Sequence, residues 1–393
     1  MIDETLRLIL SYLRLAISFI QSFLASFNPR RKRTIDFDTG ISATIQHQIA
    51  EGGFSYIYLA HDMESPNIKY ALKRIMCPDE EIRISCRAEA KVHRDLGHHE
   101  NIMQLKGMKF ETSNDSVCYM LFPLISGGSL RDAVSSRKIL DDEATISHIN
   151  PLSRDQRYFT NEQILSVFIG MLKGVKAMHN AGYAHCDIKL ENVMLDISNS
   201  GSMSSYKDEE MGSGAGARKN YLGTPILMDF GSARKLVIQL TDRRTVMNLT
   251  DEASQNSTIS YRAPELFDGG CRHGPNEPDI DGKIDVWSCG CVLYGLMYGT
   301  SPFEMEFRQD GSIRIVECTH LRLLSGKIPS PPKSREAAYG YMKGLHDMVE
   351  WILNVDRKER PDLDSVLDRA ENLFFLAQGK MSSFDGITKG ALI

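Results

Sequence analysis

The sequence predicts an α+β protein with a small β-rich part followed by a larger helical part. Three observations predict it. Between residues 45 and 75, short runs rich in β-branched and aromatic residues alternate apolar with polar. The period turns helical at 79–96, and beyond Asn161 most long patterned segments are helical. The chain has 393 residues, more than the roughly 100–200 of an ordinary domain, which suits a bilobal unit with a short extension.

The elements follow in order. Residues 4–28 read as one helix. Glu4, Arg7, Ser11, Arg14, Ser18, Gln21 and Asn28 form a narrow polar stripe, and Leu, Ile, Phe and Ala fill most of the rest. Arg30-Arg31-Lys32-Arg33 follows directly. Residues 1–33 carry six basic and two acidic side chains, in a chain of formal net charge −5. A basic, apolar-rich head on an acidic body predicts contact with an anionic membrane surface. A spanning helix would put Arg14 near the bilayer centre at a cost of about 2.5–3.5 kcal/mol. A helix lying in the interface lets both arginines reach the headgroups, and the Arg/Lys run adds about 1 kcal/mol per charge. Docking on its own domain or on a partner is the plainer alternative. The acidic start and Arg14 argue against a signal peptide, and position 2 lacks the glycine that N-myristoylation needs.

In the body, Ile45–Ile49, Tyr56–Ala60 and Tyr70–Ile75 are expected strands, 79–96 a helix, and Met103–Phe110 and Val117–Pro123 further strands. The expected organisation is an anchor at 1–33, one lobe at 40–125, a second at 126–376 and a loose tail at 377–393. Residues 198–220, rich in Ser, Gly and charge, read as a flexible insertion, and 138–157 as a shorter one.

Composition narrows the function. Hydrophobic residues make up 42% and charged residues 25%, which excludes a mostly disordered chain, a collagen-like chain and a polytopic membrane protein. The net negative charge argues against a nucleic-acid partner. The eight cysteines show neither a disulfide framework nor paired zinc-ligand spacing. Scattered free thiols fit the cytosol or a surface facing it.

The motifs then accumulate. Ile49-Ala50-Glu51-Gly52-Gly53-Phe54-Ser55-Tyr56-Ile57 joins two β-patterned runs, and such a turn can lay backbone N–H groups over phosphates or be a plain hairpin. Ala71-Leu72-Lys73 lies on a strand pattern. Ile82, Cys86, Glu89, His93 and Leu96 share one helical face, so Glu89 either sits inward, where an unpaired carboxylate would be costly, or lies half-exposed at the edge of the stripe. Lys73 is the candidate partner. The sharpest signal is His185-Cys186-Asp187-Ile188-Lys189-Leu190-Glu191-Asn192, followed by Asp229-Phe230-Gly231 and Ala263-Pro264-Glu265.

In this order, over about residues 45–375, the motifs resemble a eukaryotic protein kinase. Glu51-Gly52-Gly53-Phe54-Ser55-Tyr56, Gly182-Tyr183-Ala184-His185, Leu227-Met228-Asp229 and Thr258-Ile259-Ser260-Tyr261-Arg262-Ala263-Pro264-Glu265-Leu266 look like the Numb-associated kinase family. Within that family they are most similar to its small, Golgi-linked, lipid-anchored member. The resemblance implies a bilobal protein-kinase fold, ATP and Mg2+ as cofactors, and Ser/Thr hydroxyls of proteins as substrates. It also implies an extra helix in the activation segment, which Leu249–Ser257 could supply, and a place on the cytoplasmic face of an internal membrane such as the Golgi.

By the same resemblance, Lys73 would hold the α- and β-phosphates and pair with Glu89, and Asp187 would meet the substrate hydroxyl. Asn192 and Asp229 would bind magnesium. Gly52 and Gly53 would cover the phosphates. Ile49, Ile57, Ala71 and Met194 would form the adenine slot, with Phe122 near its back and Pro123, Leu124 and Ile125 as the hinge. Lys189 is the Ser/Thr-kinase choice, and Thr258 would bond the catalytic pair. Glu265 with Arg360 would form a buried ion pair, and Asp285 would brace the catalytic loop. His185 is expected to be structural.

Two departures stand out. Ala50 and Ser55 replace the first and third glycines of the phosphate loop. Cys186 stands where most kinases carry an arginine that meets an activation-loop phosphate, which argues against control by that phosphate. These two features also give a nucleotide-binding pseudokinase or scaffold its support. A small-molecule kinase is disfavoured by the Thr258–Glu265 segment, which resembles a protein-substrate platform.

Overall fold

The computed structural model describes residues 33–52, 55–111, 116–137, 139, 158–198, 222–237, 243–267, 280–333 and 339–379. The expected membrane helix, Gly53, nearly all of the two insertions and the end of the tail lie outside the described residues. The chain divides into two units.

The first unit comprises the described residues up to Arg94 together with Gln104–Leu124. Its strands are β1 (Thr34–Asp36), β2 (Ser42–Glu51), β3 (Ser55–Asp62), β4 (Lys69–Met76), β5 (Gly107–Phe110) and β6 (Val117–Pro123), and α1 is Glu80–Leu96. They form one antiparallel sheet in the order β1-β2-β3-β4-β6-β5. Ile57 lies opposite Lys73, Lys73 opposite Met120, and Ala71 opposite Phe122. Cross-strand partners share a face, so these five residues lie on one side of the sheet. On the other side Tyr70, Leu72, Tyr119 and Leu121 build a core with Ile35, Phe37 and Ala43.

Helix α1 starts where the Asp79 carboxylate accepts the Ile82 N–H at 3.0 Å. Glu80 and Glu81 in its first turn and His93 and Arg94 in its last match the helix dipole. Its apolar face packs on the Lys73 side of the sheet, where Cys86 and Ala90 meet Ile75, Met108 and Met120.

Two expectations change. Strand β1 lies ahead of residue 40. It is three residues long, too short to show a period. The strand expected from Met103 begins only at Gly107. Residues 95–103 belong to the second unit, where the Met103 N–H bonds to the Leu227 carbonyl at 2.8 Å.

The second unit is mainly helical: α2 (Leu130–Ser136), α3 (Asn161–Asn180), α4 (Arg243–Asn256), α5 (Lys283–Tyr298), α6 (His320–Leu324), α7 (Lys343–Ile352) and α8 (Leu363–Ala377). Capping boxes start α2, at Ser129 and Asp132, and α3, at Thr160 and Gln163. Helix α5 is buried over nearly its whole length, so it reads as apolar all round and forms the centre of the unit. It ends at Gly299, whose φ of 96° suits only glycine. Helix α3 packs against α5 and α8. It approaches residues 101 and 227 closely at Gly174, where an added Cβ would meet the Asn101 carbonyl oxygen at 2.7 Å. Short antiparallel strand pairs complete the unit: β7 (Tyr183–Ala184) with β10 (Arg234–Lys235), β8 (Val193–Asp196) with β9 (Thr224–Leu227), and β11 (Met305–Phe307) with β12 (Ile313–Ile315).

Candidate active site

In the first unit, Lys73 Nζ on β4 lies 2.9 Å from Glu89 Oε1 on α1. The Glu89 side chain is 6% exposed and that of Lys73 18%. An unpaired carboxylate at that depth would be costly, so the lysine is the reason glutamate is tolerated on the inner face of α1. The turn between β2 and β3 closes through the Gly52 N–H to the Ser55 carbonyl at 2.9 Å, with the reverse bond at 3.3 Å. Ala50 pairs with Ile57. Among the described residues, Cys186 and Asp229 alone combine a side chain beyond glycine with a positive φ. Ala50 therefore keeps ordinary strand backbone, and the loss of glycine there strains nothing. Ile49 is 45% exposed. The Phe122 ring centroid is 5.2 Å from that of His93, and the Leu124 N–H reaches the Lys69 carbonyl at 3.3 Å.

In the second unit, one carboxylate gathers four donors. Asp187 Oδ2 accepts from Lys189 Nζ at 2.7 Å and from Asn192 Nδ2 at 3.0 Å. Asp187 Oδ1 accepts from the backbone N–H and the hydroxyl of Thr258, each at 3.0 Å. Lys189 Nζ also donates to Thr258 Oγ1 at 2.8 Å. These bonds fix the carboxylate's orientation and engage about four acceptor sites, two on each oxygen. Asn192 Nδ2 also donates to the Asp187 carbonyl at 2.9 Å. Its NH2 group is thereby engaged, and Oδ1 remains as a hard oxygen donor.

Asp229 lies at the same end of the β8–β9 strand pair. Val193 pairs with Leu227, and the Met228 N–H bonds to the Asn192 carbonyl at 3.0 Å. A carboxamide oxygen and a carboxylate suit Mg2+, which prefers oxygen ligands. Met194, on β8, is half-buried.

The loop that carries Asp187 is held from below by Asp285 on α5, which is fully buried. Its Oδ2 meets the His185 N–H and His179 Nε2, both at 2.8 Å, and its Oδ1 accepts the Cys186 N–H at 2.9 Å. Burial pushes the Asp285 pKa up. The His179 contact and the His185 N–H outweigh it and hold the carboxyl below its usual range. Cys186 is strained at φ 66°. His185 Nδ1 accepts the Asp187 N–H at 3.3 Å, so Nε2 carries the ring proton and donates to the Met228 carbonyl at 3.2 Å. Both ring nitrogens are thus spent on structure.

Around Thr258 the backbone is clamped. Arg262 donates to the Ser257 hydroxyl at 2.8 Å and the Ser257 carbonyl at 2.7 Å, and stacks over Phe267. Helix α4 runs two turns further toward the N-terminus than the expected Leu249–Ser257. It is tied down by an Arg234–Glu252 ion pair of 2.7 Å. Glu265 meets Arg360 in a buried bidentate pair, at 2.7 and 2.9 Å. Arg131 links Glu191, the Gly299 carbonyl and the Tyr261 hydroxyl. Sequence reasoning missed the roles of His179, Arg131, Arg234, Glu252 and Arg262. Only Arg262 stood in a quoted motif, and the other contacts join distant positions that no spacing marks.

The sequence matches the protein kinase domain family over residues 43–370. It is 31% identical to serine/threonine-protein kinase 16 of Mus musculus over 83% of this chain and 88% of that protein. The Homo sapiens protein of the same name gives the same figures. A Dictyostelium discoideum protein named as a probable serine/threonine-protein kinase is 29% identical over 85% of this chain and 94% of its own.

Proposed function

The chain belongs to the protein kinase family and is a serine/threonine protein kinase, and from that premise we propose how its residues divide the chemistry. Asp187 orients the hydroxyl of a protein serine or threonine and takes up its proton as the oxygen attacks the γ-phosphorus. Lys189 offsets negative charge beside Asp187, and Thr258 fixes both side chains. Lys73 binds the α- and β-phosphates in the position that Glu89 sets. The backbone of Gly52 and Gly53, flanked by Ala50 and Ser55, covers the phosphates. Ile49, Ile57, Ala71, Phe122 and Met194 bound the adenine, and Pro123 and Leu124 form the hinge. Asn192 Oδ1 and the Asp229 carboxylate would hold Mg2+, which when bound neutralises phosphate charge.

The observation that carries this reading is the four-donor grip on Asp187. It presents a pre-aimed carboxylate, which is what phosphoryl transfer asks of a protein group. The test is transfer from Mg-ATP to Ser, Thr and Tyr peptides with phosphoamino-acid analysis. Phosphoserine or phosphothreonine from the wild type alone, with none from Asp187→Asn, is the expected result. Equal labelling by both proteins would overturn the assignment.

We also propose that residues 1–33 hold the kinase on the cytoplasmic face of an internal membrane, the Golgi first among them, where it serves membrane traffic. The support is the amphipathic pattern with its Arg/Lys run and the resemblance to the Golgi-linked branch of the Numb-associated kinases. Among the described residues no helix is long and apolar enough to cross a membrane. Cosedimentation with phosphatidylserine vesicles, with and without residues 1–33, tests the anchor. Equal binding by both forms would sink it.

A further inference from the structure

Three thiols meet in the first unit. Cys77 follows β4, Cys86 lies on the inner face of α1, and Cys118 lies on β6. All three are buried and share one small core with Ile75, Ala90, Met108 and Met120. The Cys77 and Cys86 sulfurs are 4.0 Å apart. The backbone of Cys77 is anchored by its N–H to the Ser116 carbonyl at 2.8 Å. Their places in the fold matter for ATP use. Cys86 stands one helical turn before Glu89 on α1, and Cys77 lies just past the strand that carries Lys73.

The thiols are chemically unequal. Hydrogen bonding with Cys118 lowers the Cys86 pKa. Burial and the Glu89 carboxylate oppose this, and Cys77 and the Lys73 ammonium reinforce it. Burial, with Cys86 nearby, pushes Cys77 up to about 12. Of the two, Cys86 is the thiol whose proton its surroundings hold less tightly.

We propose that Cys77 and Cys86 are a redox modification site, closed by a hydroperoxide into an intrachain disulfide that draws Glu89 away from Lys73. In the first step a local opening of α1 admits the peroxide, the Cys86 sulfur attacks its terminal oxygen and the O–O bond breaks. Cys86 becomes a sulfenic acid, and the peroxide leaves as water or an alcohol carrying the thiol's proton. In the second step the Cys77 sulfur attacks the Cys86 sulfur, the S–O bond breaks, and hydroxide leaves with the Cys77 proton as water. Two thiols are oxidised and one peroxide is reduced. A disulfide needs sulfurs about 2.05 Å apart, so closure brings the two sulfurs, 4.0 Å apart in the reduced protein, about 2 Å closer through side-chain rotation and movement of α1 toward the end of β4. The 2.9 Å Lys73–Glu89 contact lies one helical turn from Cys86, so movement of α1 would alter its geometry. In a reducing compartment the bond is transient, which suits a switch and not a staple.

This consequence rests on the proposed role of Lys73 and Glu89, so the test reads the bond and the activity separately. The full-length protein is treated with hydrogen peroxide, alkylated and digested, and its activity is measured before and after dithiothreitol. We expect a peptide joining Cys77 to Cys86, a loss of activity of about 10- to 100-fold, and recovery on reduction. Cys77→Ala and Cys86→Ala keep basal activity and resist the peroxide. Met63, 62% exposed, becomes a sulfoxide in every sample and reports that oxidant was present. Met63 oxidised without the joined peptide means that these thiols are ordinary core packing, and the proposal fails. It fails equally if the alanine variants lose activity as the wild type does, which would place the damage elsewhere, for example at Cys186. A joined peptide with unchanged activity overturns the link to Glu89.

Discussion

Thr258 holds Asp187 twice: its backbone N–H and its hydroxyl both reach Oδ1, each at 3.0 Å. The hydroxyl can donate there because Lys189 Nζ supplies its own acceptor role with a proton at 2.8 Å. The loop that carries the base and the segment that follows α4 are thereby fixed to each other. Order in the one depends on order in the other.

Replacing Asp187 with asparagine keeps the shape and removes the proton acceptor. A drop in kcat of about 10²–10⁴ is expected, with the melting temperature close to wild type. Steady-state kinetics and a thermal melt on the same sample check both halves of that statement.

Lys73→Met removes the cation and costs the buried Glu89 carboxylate its ion pair with Lys73. Transfer should fall by about 10²–10³, and stability should fall as well. Lys73→Met combined with Glu89→Leu should regain the stability and none of the activity. Urea unfolding of the two variants separates these contributions. Activity recovered in the double variant would refute the phosphate role of Lys73.

Arg360→Met leaves the Glu265 carboxylate buried and uncompensated. A loss of about 3–5 kcal/mol is expected, seen as a lower urea midpoint. A change within experimental error would mean that water replaces the guanidinium.

Asp285 has its folded pKa held below the ordinary carboxylate value. Its contribution to stability is therefore fully present above the unfolded pKa of about 3.9 and is lost as pH falls through the lower folded value. Asp285→Asn should be less stable at pH 7 and should lose less stability than wild type between pH 5 and pH 3. Urea midpoints across that interval test the sign.

The described part of the activation segment is held by its own side chains. Arg262 is occupied by Ser257, Arg234 by Glu252, and Cys186 offers no cation. Treatment with a phosphatase should leave kcat within about twofold, since the exposed Arg234–Glu252 pair itself contributes only 0–1 kcal/mol. A tenfold loss would show that a bound phosphate does the holding.

Much of this was legible in the sequence because it is local. Asp187, Lys189 and Asn192 lie within six residues, and Glu89 sits on a helical face whose period can be counted. What stayed hidden is non-local or short. Strand β1 has three residues and α2 seven, too few for a period to emerge. His179 and Asp285 are separated by 106 positions, and nothing in either neighbourhood points to the other. Cys77, Cys86 and Cys118 follow no recognised spacing, so only the packing of α1 on the sheet brings them together.

The Glu265–Arg360 pair joins positions 95 residues apart, so its second member is made well after its first. At synthesis rates of about 5–20 residues per second, the glutamate waits roughly 5–19 s for its arginine. Through that interval the nascent second unit holds a carboxylate destined for its core with nothing to neutralise it. Its final closure therefore waits for Arg360, and chains released before Arg360 should depend on chaperones to stay soluble.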